Sequence, residues 1–165
     1  MGGWGKAKKA AGKSVEDLEK TFRGYSYDSP KDIARTDAVV RSALKKELLK
    51  ARQALLGIIE LAYKEEEDEI SRNLESVRDE LDGFITELGI IRSPRKEPDE
   101  RALEKVARAD ALLMRSAREL TERAGQLKSE VLQSVASGVV RKSQQMRDFV
   151  FQMENVYSER AGVLA

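Results

Sequence analysis

Arg92-Ser93-Pro94-Arg95-Lys96-Glu97-Pro98 holds two of the chain's three prolines, and the sequence on either side of it is built differently. Proline fixes φ and has no N–H to donate, so a pair of prolines this close marks a break between regular elements. Moving outward, back to Pro30 and forward to the last residue, run two stretches of more than sixty residues with no proline, dense charge and recurring apolar side chains. The pattern predicts two very long helices joined by a tight turn, from about Pro30 to Arg92 and from about Pro98 onward. Each has about 60 residues and, at 1.5 Å per residue, is on the order of 90 Å long. The expected fold is therefore all-α: a long antiparallel helical hairpin with an N-terminal amphipathic helix, dimerising into an elongated helical bundle. Residues 1–23 are the amphipathic segment, 24–29 a linker, and 30–165 the hairpin scaffold with its arm tip at 92–98.

The apolar residues say how much of each helix is covered. Val40, Leu44, Leu48, Ala51, Leu55, Ile58 and Ala62 form one stripe. Leu56, Ile59, Leu61 and Tyr63 then add apolar groups around much of the circumference, and a helix apolar nearly all round needs more than one neighbour. Folding a hairpin about residue 95 sets Val131 against Ile59, so the two apolar-rich zones coincide. The expected dimer interface is Leu55, Leu56, Ile58, Ile59, Leu61, Tyr63, Leu127, Val131, Leu132, Val135, Phe149, Phe151 and Met153. A two-fold partner would cover the same patch on each subunit.

Composition removes several function classes. Charged residues make up 36% and aromatics 5% of the chain, which suits long exposed helices better than a compact enzyme. Cysteine and histidine are absent, removing thiolate chemistry, imidazole catalysis and the commonest transition-metal ligands. The acidic run Glu65-Glu66-Glu67-Asp68-Glu69 points around a helix rather than converging, and reads as a solvated face. No enzyme activity, cofactor or metal is expected. No apolar run approaches the roughly 20 residues of a spanning helix, and the N-terminus makes a poor secretory signal. A cytoplasmic, peripheral membrane protein is expected.

The N-terminal segment carries the functional signal. On a wheel of about 100° per residue, Trp4, Ala7, Ala11, Val15, Leu18 and Phe22 fall within about 80° of one another, with Lys6, Lys9, Lys13 and Lys20 opposite. Gly2, Gly3, Gly5 and Gly12 each cost about 1 kcal/mol in a helix relative to alanine, so the first half should form only against a surface. The six apolar residues are the expected membrane-inserting set. Anionic-lipid contacts are assigned to Lys6, Lys8, Lys9 and Lys13; to Lys45, Lys46, Lys50 and Arg52; to Arg92, Arg95 and Lys96 at the turn; and to Arg141 and Lys142, which a hairpin brings beside the middle of the first helix. A basic side chain near an anionic leaflet is worth about 1 kcal/mol. The net charge of +1 supplies no global field, so local clusters decide.

Met1, Trp4, Gly5, Lys8, Lys9, Ala10, Ala11, Gly12, Ser14 and Val15 resemble the amphipathic opening of the N-BAR family of membrane-curving proteins. Leu103, Leu113, Leu120, Leu127, Phe149 and Met153 are similar in spacing to the last long helix of a BAR domain. The resemblance implies a crescent-shaped homodimer that binds anionic bilayers through basic residues and wedges its N-terminal helix into one leaflet. BAR domains usually have three long helices per chain, and this sequence supplies two. A second resemblance, to the ESCRT-III and phage-shock protein A superfamily, rests on the amphipathic helix ahead of a hairpin and on Asp28-Ser29-Pro30, and implies membrane-remodelling filaments. The remaining alternative is a coiled-coil structural protein or a hairpin coating nucleic acid. Backbone binding to nucleic acid would use Lys45, Lys46, Arg141 and Lys142 but would not need the Trp4 to Phe22 stripe. Partners expected are the anionic membrane and a second copy of the chain, and nucleic acid is not expected.

Overall fold

The computed structural model describes residues 3–91, 97–133 and 136–165, and these are helical with short connections. The elements are α1 (Gly3–Ala11), α2 (Lys13–Thr21), α3 (Pro30–Lys64), α4 (Asp68–Leu88), α5 (Glu100–Leu132) and α6 (Ala136–Leu164). The all-α expectation holds. The two continuous helices of about 60 residues do not, because the first is broken at 65–67 and the second is divided into one helix ending at Leu132 and another beginning at Ala136. Residues 92–96, which include Arg92, Arg95, Lys96 and most of the expected turn and arm tip, lie outside the described residues, as do Met1 and Val135.

The break after α3 has a definite mechanism. Glu67 N–H donates to the Ala62 carbonyl at 2.9 Å and Glu66 N–H to the Tyr63 carbonyl at 3.1 Å, with Glu66 between them at φ 56°. This is a Schellman ending with glutamate in the left-handed position that glycine usually holds. No sequence rule flags it, since neither glycine nor proline is present. What compensates the left-handed glutamate is burial: turning the chain back brings the apolar stripe of α4 onto that of α3. The starts of α3 and α5 follow ordinary capping. Ser29 Oγ accepts from Asp32 N–H at 3.1 Å ahead of Pro30, and Asp99 Oδ1 accepts from Ala102 N–H at 2.8 Å.

Helices α3 to α6 form a four-helix bundle. α3 packs on α4 and α5, and α6 on the same two, so α3 stands diagonally across from α6 and α4 across from α5. Arg41 near the start of α3 donates to the Leu88 carbonyl at the end of α4, 3.0 Å. Arg160 near the end of α6 reaches Asp37 on α3 and Asp110 on α5. One end of the bundle thus gathers the starts of α3 and α5 and the ends of α4 and α6; α3 and α5 run one way, α4 and α6 the other. Leu44, Leu48, Leu55, Ile58, Leu74, Leu81, Phe84, Leu113, Leu120 and Val150 fill the interior.

This topology covers within one chain most of the residues that the hairpin reading assigned to a dimer. Leu55, Ile58, Ile59, Leu127, Val131 and Met153 are buried, and Leu56, Leu61 and Phe149 half-buried, without a second copy. Tyr63, Leu132 and Phe151 remain exposed. The nearly all-round apolar surface of α3 is met by α4 on one side and α5 on the other.

α1 and α2 lie outside the bundle as a strap, packed on α5 and touching each other where they meet. Their joint is Gly12, at φ 55° and ψ −122°, a conformation that requires glycine. Ser14 does not cap α2; its N-cap position is Gly12, with no side-chain hydrogen bond.

Candidate functional site

The apolar stripe of the N-terminal segment is docked. Trp4, Ala7, Ala11, Val15, Leu18 and Phe22 are all buried, on helices that pack on α5, so the expected insertion face is turned inward. Gly3 sits so close to α5 that a Cβ there would lie 3.4 Å from Glu100 N, and Arg108 donates to the Ala10 carbonyl at 2.9 Å. Lys6, Lys8, Lys9 and Lys13 are exposed on the outside of the strap, Lys8 paired with Glu19. Between α2 and α5 opens a groove of about 930 Å³ lined by Lys13, Asp17, Leu18, Met114, Arg115 and Arg118, among others.

After α2 the chain is pinned by polar contacts. Arg35 donates to the Gly24 carbonyl at 2.8 Å, and Thr36 Oγ1 to the Ser26 carbonyl at 2.6 Å. Gly24, at φ 76°, is the second place where only glycine fits easily, because a Cβ would meet Arg35 Nη1 at 2.9 Å. This geometry aims Tyr25 and Tyr27 into the bundle end. Both hydroxyls donate to Asp110 Oδ2, at 2.6 and 2.5 Å. The opposite carboxylate oxygen of Asp110 accepts from Arg160 Nε, while Arg160 Nη1 reaches Asp37 at 2.7 Å and its Nη2 donates to the Tyr27 hydroxyl at 3.1 Å. Arg41 completes the set, 2.9 Å from the other oxygen of Asp37. Trp4 closes the cluster edge-on to both tyrosines, with ring centroids 5.9 and 5.5 Å away.

The network is enclosed: Asp110 is 0% exposed and Arg160 2%. A buried charge is tolerated only when paired and hydrogen-bonded, and here one carboxylate takes two phenols and a guanidinium. Burial first, then the Asp110 charge, holds both phenols far above their usual range, so they remain donors at any physiological pH. Sequence reasoning missed Asp110, Arg160, Tyr25 and Tyr27. One signal was present: Asp110 stands four residues after Val106 and three before Leu113, in the apolar stripe of its own helix.

The remaining basic residues are scattered differently from the hairpin expectation. Lys45, Lys46 and Lys50 are exposed on α3, Lys50 lying 3.0 Å from Glu47, and Arg52 is paired to Asp82 on α4 at 2.5 Å. Arg141 and Lys142 lie in the second turn of α6, and Lys142 pairs with Glu130 on α5. Because α6 stands diagonally across from α3, they do not join Lys45 and Lys46, and the central basic group expected from the sequence is divided. The outer face of α3 instead continues from the strap, since Arg35 and Val39 line one small pocket with Phe22, Arg23 and Tyr25. Charge is segregated along the chain, with eight Lys or Arg against four Asp or Glu in α3 and two against seven in α4.

Between α4 and α6 lies a carboxylate pair. Burial first, then the neighbouring Glu80 and the charge of Glu87, pushes the Glu154 carboxyl from its ordinary 4.5 up to about 7, and its Oε1 is buried with no hydrogen-bond partner. Arg147 Nε, 4.0 Å from Glu80, is the nearby cation. The folded chain therefore keeps a proton that the unfolded chain has released, so this group's contribution is full below pH 4.5 and is lost as pH rises to about 7. Glu154→Gln should raise the thermal midpoint at pH 8 and flatten the fall in stability between pH 5 and 7. Midpoints measured by circular dichroism at three pH values decide it, and a parallel fall in both proteins refutes the assignment.

Comparison of the chain with protein-family models, curated proteins and solved structures gives no match. No helix among the described residues is long and apolar enough to cross a membrane. The fold and the site define a four-helix bundle with an amphipathic strap packed along α5.

Proposed function

We propose that this chain is a peripheral membrane-binding module that meets anionic bilayers through the lysines of its strap and of α3, and inserts the Trp4 to Phe22 stripe into the leaflet. One observation carries the reading: the amphipathic segment is a separate outer layer, built on two nine-residue helices that pack on α5 alone in the bundle, with its lysines facing solvent. Helices this short are marginal in water by themselves and gain their order from whatever apolar surface they cover. A leaflet is such a surface, and anionic headgroups add attraction to each lysine. Exposed Val39 and Leu49 beside Lys45, Lys46 and Lys50 extend the same chemistry along α3.

The test is co-sedimentation with vesicles of phosphatidylserine and phosphatidylcholine against phosphatidylcholine alone. Reversing Lys6, Lys9 and Lys13 to glutamate should remove about 3 kcal/mol or more of attraction, and so lower partitioning roughly a hundredfold. Reversing Lys45, Lys46 and Lys50 should act in the same direction. Equal binding to both vesicle types, or none, overturns the reading. Sedimentation velocity of the same samples measures self-association, the other partner expected from the sequence.

A further inference from the structure

The docked strap poses a conflict that the membrane reading must resolve. The apolar face that would enter a leaflet is occupied by α5, and the α5 surface around Met114 and Leu103 is covered by that same face. Neither can be used while the other is satisfied.

We propose that the docked strap is the closed state of a switch, and that the cluster Trp4, Tyr25, Tyr27, Asp110 and Arg160 is its latch. The inference rests on the membrane reading above and adds its regulation. Three observations place the latch at this end. Trp4 is the largest side chain on α1, and it is seated on the rings of Tyr25 and Tyr27 rather than on α5 alone. Those two tyrosines are tied by short hydrogen bonds to a fully enclosed carboxylate, which α6 in turn holds through Arg160. Farther along, α2 has no side-chain cap, follows a glycine joint and borders an open groove. The strap is thus fastened where Trp4 meets the two tyrosines, while α2 seats Val15 and Leu18 on α5 beside the groove; an outer layer that packs on one helix of the bundle opens before the bundle does.

Opening exposes Trp4, the sole tryptophan in the chain, while the tyrosines act as the pivot. A bilayer binds only the opened strap, so the latch lowers apparent affinity by the fraction of molecules that are closed.

The chain has no cysteine, which permits a clean covalent lock. A Cβ built on Gly3 lies 3.6 Å from Glu100 Cα, within disulfide reach, so Gly3→Cys with Glu100→Cys can staple the strap to α5. The full-length stapled protein, oxidised and then reduced with dithiothreitol, is mixed with phosphatidylserine vesicles carrying brominated acyl chains. A second protein, Tyr25→Phe with Tyr27→Phe, weakens the latch while keeping its rings, and its fold is checked by circular dichroism. Oxidation should lower partitioning at least tenfold and abolish quenching of Trp4 by the brominated chains, with reduction restoring both. The tyrosine variant should partition at least tenfold more than the unaltered chain, with Trp4 more open to acrylamide in solution. If oxidised and reduced proteins bind equally with Trp4 unquenched in both, the switch is overturned while binding through the outer lysines stands. If even the reduced and latch-weakened proteins ignore the vesicles, the membrane reading falls and the switch falls with it.

Discussion

Replacing Arg160 by methionine will destabilise the chain by about 3–5 kcal/mol, the largest effect expected of a single substitution outside the apolar core. The guanidinium is enclosed and bonds Asp110, Asp37 and the Tyr27 hydroxyl, so its loss leaves the fully buried Asp110 carboxylate with no cation and the partly buried Asp37 with only Arg41. Removing one partner of a buried pair costs far more than the pair contributes, because the survivor cannot be resolvated. Asp110→Leu in the Arg160→Met background removes that uncompensated charge but leaves the Tyr25 and Tyr27 hydroxyls without their acceptor, so it should restore only part of the loss. Urea unfolding of the four proteins of this cycle gives the coupling directly, expected at about 1–3 kcal/mol. A single-variant cost under about 1 kcal/mol would mean that the network is solvated in solution and does not hold the bundle end together.

The second large effect concerns where the apolar middle of α3 is covered. Leu55 is 0% exposed inside one chain, so Leu55→Ala should cost about 2–5 kcal/mol through lost burial and the cavity left behind. A core defect of this kind lowers stability equally at every protein concentration. An interface defect, by contrast, would make the unfolding midpoint of the unaltered protein rise with concentration, since association adds stability by mass action. Unfolding at concentrations a hundredfold apart, for both proteins, separates the two. A concentration-dependent midpoint that vanishes in Leu55→Ala would return this stretch to a subunit interface.

Much of the local structure was legible in the residues. Ser29-Pro30 and Asp99 cap helices where capping chemistry says they should, and the stripes Val40 to Ala62, Ile70 to Leu88 and Leu103 to Val131 are the faces that are buried. The wheel of Trp4 to Phe22 identified a real amphipathic face, for every member of it is covered. What it could not identify was the covering surface, because a leaflet and an apolar helix present the same demand to an amphipathic segment. The candidate site was less legible. Tyr25 and Tyr27 fell in a stretch read only as a linker, and Arg160 stood among the expected surface charges of a long helix. Their partners are 83, 85 and 50 residues distant in the chain, beyond any local pattern.

The sequence by itself determined that the chain is helical, where its two halves divide, which side of each helix is apolar, and that its first residues form an amphipathic segment. These follow from short-range physics: proline geometry, capping and a period of about 3.6 residues. Only the tertiary structure decided that each half folds back on itself, the first at Glu66 with no glycine to announce it, and that the strap lies down on α5. That choice depends on burying apolar faces from distant parts of one chain against each other. A left-handed glutamate at one turn is a small cost beside two helices finding their core.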